Sequence, residues 1–225
     1  LTRLNSYLGT YGKDPLFAEE LTTRVGAKGI LTFYAGIADP YQGMGMGSDP
    51  QARHDLAKQL QKKLGITLGT ATLSDSAAMQ RWEQDMINLG PDELGIDDAG
   101  DPRGFQVMSA LMRHGDYDDE FLNSYGNKLI ALDKQYNNED MNYWINNATM
   151  DTDLNFYGKG DRGRDPMTGF LEALGHNPDA STQFFAQPGG AGDTVDKDDE
   201  LNDHLKYLTK ERHWWSDDPQ TDHGY

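Results

Sequence analysis

The chain has 225 residues, and its 20 Lys plus Arg against 37 Asp plus Glu give a formal charge of −17. Such an excess of carboxylates repels phosphate backbones and anionic lipid surfaces, which argues against nucleic-acid binding by counterion release. The absence of cysteine excludes a disulfide framework, a thiolate zinc site and a cysteine nucleophile together, and no apolar stretch nears the roughly 20 residues that span a bilayer.

Asp or Asn followed by Pro marks helix starts in chain order. The side chain accepts from orphan N–H groups of a first turn, and proline at the next position loses nothing. Asp14-Pro15 opens one such helix, with Phe17, Leu21 and Val25 every four residues and Gly26 as its stop. Ala38 to Ser48 then reads as a loop, in which Gly43, Gly45 and Gly47 alternate with Met44 and Met46. That glycine spacing is wrong for a phosphate loop, and the two methionines offer an adaptable contact surface instead. Asp49-Pro50 opens the next helix, carrying Leu56, Leu60 and Leu64 and ending at Gly65. Residues 66–73 are the best strand candidate, although their threonines and glycine also suit a packed helix. Met79, Trp82, Met86 and Ile87 follow a helical period, as do Phe121, Tyr125, Leu129 and Leu132 after Asp118. Residues 136–164 look irregular. Asp165-Pro166 and Asn177-Pro178 open two further helices, the first stopping at Gly175, and 186–197 reads as a linker before a last helix with Leu201, Leu205 and Leu208. The expectation is a compact all-α domain of nine to eleven short helices over 1–225, with a division near 150 as the option if it splits.

Charge is concentrated. Residues 91–120 hold nine acidic and two basic side chains, and 193–225 hold ten and four. Arg53, Lys58, Lys62 and Lys63 face only Asp55 in 51–64, a basic helix that either is merely solvated, pairs internally or recruits an acidic partner.

Several constellations carry chemistry. Asp151, Asp153 and Asn155 alternate like calcium ligands, but Phe156 and Arg162 stand where an EF-hand needs Gly and Glu, leaving only an irregular calcium site. Without that site no cofactor is expected. Lys159, Arg162 and Arg164 precede the helix at Asp165 and can converge on an anion, with Asp161 and Asp165 as internal competitors. Glu200 and His204 form a histidine–carboxylate pair at helical spacing, too few ligands for zinc. Trp214 and Trp215 form either a carbohydrate or partner surface or the anchor of a terminal helix.

The run from Asp161 through the Leu174-Gly175-His176-Asn177-Pro178 turn, with residues 104–108 and 201–208, resembles an uncharacterised family of large actinobacterial proteins with WXG100-like helical modules, similar to type VII secretion substrates or polymorphic toxins. The resemblance implies a secreted or cell-surface setting, a chain excised from a longer protein, and a non-catalytic scaffold or interaction module whose partner is a protein or another domain of the same chain. It supplies no catalytic residues. A hydrolase acting on cell-wall glycan is the alternative, requiring two carboxyl groups about 5–10 Å apart across a cleft, and a calcium-stabilised module using residues 151–155 is a third.

Overall fold

The computed structural model describes residues 1–38, 50–96, 101–138, 141–144, 153–157, 160–186 and 202–215. Its elements are α1 (Thr2–Tyr11), α2 (Pro15–Ala38), α3 (Pro50–Thr72), α4 (Ala77–Leu89), α5 (Gly104–Met112), α6 (Asp119–Tyr136), α7 (Pro166–His176), α8 (Pro178–Ala186) and α9 (Asp203–Lys206), followed by a π-helical turn (Tyr207–Glu211). The fold is all-α. Among the described residues, extended backbone pairs only in the isolated bridges Glu93–Arg103 and Asn138–Met141.

Four of these helices begin at the expected prolines: α2, α3, α7 and α8. Asp165 accepts from Met167 N at 2.9 Å to cap α7, and Asp118 accepts from Phe121 N at 2.9 Å to cap α6. Ser76 caps α4 through Met79 N at 3.2 Å. α5 starts without the Asp/Asn-Pro signal; Gln106 Oε1 accepts from Arg103 N at 2.8 Å instead.

The stops divide. Gly26 takes φ 76° and ψ 161°, a conformation costly for residues with a Cβ, and kinks α2 into two helical halves. Gly65 is a correction, because α3 runs straight through it to Thr72. A Cβ there would collide with the Leu111 carbonyl and sit 2.7 Å from that of His114, and one at Gly69 would sit 2.6 Å from the Asp116 carbonyl. These glycines let α3 lie against the end of α5. Gly175 likewise lies inside α7, which continues to His176. Residues 66–72, the strand candidate, are helical. Their hydroxyls are satisfied within the helix, Thr67 donating to Lys63 O at 2.8 Å and Thr70 to Ile66 O at 3.0 Å.

All nine residues of α5 are buried. A helix apolar all round needs neighbours on every side, and α2, α3, α4 and α7 surround it. Full burial of Phe105, Val107, Met108, Leu111 and Met112 is worth about 1.5–3 kcal/mol for each large side chain. Phe105 meets Tyr125 of α6 edge-on at 5.0 Å, and Tyr125 OH donates to Phe105 O at 3.0 Å. One hydrophobic cluster extends from Leu8 to Leu208, across position 150.

Candidate functional site

A cleft opens where the end of α3, the outer face of α4, the first turn of α6 and Gln183 of α8 meet, and encloses about 470 Å³. Asp75, Glu83, Asp118, Asp119 and Glu120 line it. Among the described residues, none of these five carboxylates lies within 4.0 Å of a cation. Asp118, Asp119 and Glu120 are stabilised in place by the N-terminus of α6, whose partial positive charge favours acids. Glu83 has no such support in the middle of α4. Half-burial, then Asp118, Asp75 and Glu120, push its carboxyl up to about 7. Asp119 is also raised, by burial and by Asp179 of α8 and Asp118. On the rim, hydrogen bonds from Ser76 and Ser74 hold Glu19 below its ordinary range. The cleft thus gathers five carboxyl groups, one of which, Glu83, is held protonated up to about 7 by burial and its acidic neighbours.

Elsewhere two arginines are each matched by a pair of carboxylates. Arg113, at the end of α5, reaches Asp161 Oδ2 at 2.7 Å and Glu172 Oε2 at 2.6 Å. Arg212 enters a closed slot between Asp133 of α6 and Asp165, with contacts of 2.6 and 2.9 Å. Burial alone would lower the guanidinium's pKa, but Asp165 and Asp133 together hold it above its ordinary value. Burial raises the Asp165 carboxyl, and Arg212 opposes that rise.

Internal pairs surround the anion-binding candidates. Asp161 and Asp165, the expected competitors for Lys159, Arg162 and Arg164, turn to Arg113 and Arg212. Arg162 Nε lies 3.2 Å from Asp153. Arg164 is buried, and its carbonyl accepts from Gln106 Nε2 at 2.7 Å. Lys159 lies outside the described residues.

Of the calcium candidates, Asp151 is outside the described residues and Asp153 faces Arg162. Asn155 Oδ1 accepts from Gln61 Nε2 at 3.3 Å and Tyr157 N at 3.1 Å, while its Nδ2 donates to Asp161 O at 3.2 Å. Its oxygen thus ties Gln61 of α3 to the Tyr157 amide. No group of three or more His, Asp or Glu side chains among the described residues is placed to hold a metal ion. Met44 and Met46 also fall outside the described residues. Trp214 is exposed, with its ring 4.1 Å from the Arg212 guanidinium and its Nε1 donating to Leu208 O at 2.9 Å. Trp215 is half-buried, edge-on to His213 at 4.3 Å.

Three of the four cations on α3 meet carbonyls or a ring. Lys63 Nζ donates to Asn5 O at 3.0 Å, Arg53 Nη2 to Ile37 O at 3.4 Å, and Lys58 Nζ sits 4.6 Å above Tyr157. Sequence reasoning flagged the acidic run containing Asp118, Asp119 and Glu120 but missed Asp75 and Glu83. The available signal was the turn 73–76, which folds α4 back so that both acids face the start of α6.

Against known proteins, one family model matches, that of a family of unknown function, DUF6571, over residues 4–218. No curated protein matches, and no solved structure matches. No described helix is long and apolar enough to cross a membrane.

Proposed function

The chain belongs to that family, and we propose that it is a non-catalytic helical interaction module whose acidic cleft takes a cationic segment, a Lys- or Arg-bearing stretch of a partner protein or of another domain. The observation carrying this reading is the contrast in charge compensation. Arg113 and Arg212 are each held by two carboxylates, while five carboxylates around one cleft have no cation near them among the described residues. Like charges gathered without counter-charge raise the free energy of the folded chain, and a cationic ligand relieves that cost. The proposed setting is a secreted or cell-surface, toxin-like actinobacterial protein with WXG100-like character, a reading supported by the resemblance in 161–178, 104–108 and 201–208. In that setting it would act as a scaffold between other parts of the machinery.

The test is calorimetric titration of the chain with a lysine-rich peptide. Binding is expected to weaken roughly tenfold between low salt and about 0.5 M salt, because screening shortens from about 10 Å towards 3 Å. It is expected to weaken again in Asp75→Asn/Glu120→Gln. Binding that ignores both salt and these substitutions contradicts the reading.

A second reading rests on Glu83 itself. An acid with a pKa near 7 beside further carboxyl groups meets a requirement of a general acid, as in hydrolysis of cell-wall glycan. Turnover of such a glycan that disappears in Glu83→Gln would establish it; intact glycan after prolonged incubation removes it.

A further inference from the structure

The C-terminal arm, residues 202–215, is fastened to the body largely through side chains. The His204 ring stacks on Phe184 of α8 at 4.3 Å, and its Nδ1 lies 3.0 Å from the Phe184 carbonyl. Asn137 Nδ2 donates to His213 O at 3.1 Å. The deepest contact is Arg212, whose side chain is 0% exposed.

Its guanidinium forks onto Asp133, with Nε 2.6 Å from Oδ2 and Nη2 3.2 Å from Oδ1, and Nη2 also donates to Asp165 Oδ1 at 2.9 Å. Trp144 Nε1 donates to Asp133 Oδ1 at 2.6 Å from the body, and Tyr207 OH to Oδ2 at 2.6 Å from the arm. Trp214 covers the guanidinium face. Asp133 is fixed on α6, Asp165 is fixed as the cap of α7, and Trp144 is buried beside them. The body therefore presents a preset pair of carboxylates, almost wholly out of water, that is strongly unfavourable without a cation between them. The planar donor fork of a guanidinium fits this pair, whereas an ammonium offers a single point charge.

We propose that Asp133 and Asp165, walled by Trp144, form a receptor for guanidinium-bearing segments, that residues 202–215 occupy it as a built-in ligand, and that the same segment supplied by a second copy of the chain fills it when the resident arginine is absent. This is separate from the acidic cleft and stands or falls independently of it.

The test uses the full chain carrying Arg212→Ala, followed by thermal melting. The variant melts below the unsubstituted protein. Millimolar methylguanidinium raises its Tm saturably, equal methylammonium does not, and a peptide of residues 202–215 restores about half of the loss or more by mass action. The same peptide with Arg212→Ala restores nothing, and adding Asp133→Asn to the chain abolishes both responses. If Arg212→Ala does not fold, refolding is attempted with methylguanidinium or the peptide present, and recovery of the helical spectrum counts in favour. No rise in Tm, no recovered fold, or an equal effect of methylammonium overturns the proposal.

Discussion

Replacing Glu83 by glutamine isolates the charge cost of the acidic cleft. In the folded chain Glu83 holds its proton up to about 7, against an ordinary 4.5. Between those values the folded state binds more protons than the unfolded state, so the stability contributed by Glu83 is fully present below 4.5 and is lost as pH rises through 7. For a fully buried acid this difference would correspond to about 3 kcal/mol. Glu83 is half exposed, and solvent screening reduces the figure to about 1–2 kcal/mol. Glutamine stays neutral at every pH and keeps the shape. Urea unfolding of both proteins should therefore show Glu83→Gln gaining about 1–2 kcal/mol on the parent between pH 5 and pH 8. Every other titrating group cancels in that difference to the extent that the substitution leaves it undisturbed. A difference that is constant across this range, or that shrinks as pH rises, refutes the claim that burial and the neighbouring acids hold the proton on Glu83.

Two further substitutions test the packing. Gly65→Ala sets helix propensity, which favours alanine by up to about 1 kcal/mol, against collision with the Leu111 and His114 carbonyls. Overpacking against backbone wins, and a net loss of about 1–3 kcal/mol in thermal or urea unfolding is expected; a stabilised variant would show that α3 and α5 are not in contact there. Asn155→Ala should cost about 1–3 kcal/mol by orphaning groups that Asn155 braces. The loss should be equal in calcium and in chelator, and one confined to calcium-containing buffer would mark Asn155 as a ligand.

What could be read from the chain was local. Asp14, Asp118 and Asp165 announce helix starts because a cap acts within three residues, and each of those starts is present; α8 also starts after Asn177, whose side-chain oxygen instead accepts from Tyr117 N. Gly26 breaks its helix for an equally local reason, its left-handed backbone. Gly65 misled because glycine serves close packing as well as termination, and only the partner, α5, distinguishes the two; at Gly175, where a Cβ would meet nothing, the helix ends one residue later, at His176. The sites were harder. Arg212 and Asp133 stand 79 residues apart and meet through the docking of the arm, while Arg162 and Arg164 drew notice by mere proximity in sequence. The cleft draws acids from three separated stretches around 75, 83 and 118–120, and no spacing rule links them.

The most direct measurement is amide chemical-shift mapping of the chain during titration with the lysine-rich peptide at low salt. The account predicts saturable shifts concentrated at Ser74, Asp75, Glu83, the first turn of α6 and Gln183, with α5 and the Arg212 slot unmoved. Shifts centred on another face, or none at peptide concentrations that saturate the calorimetric signal, would contradict it.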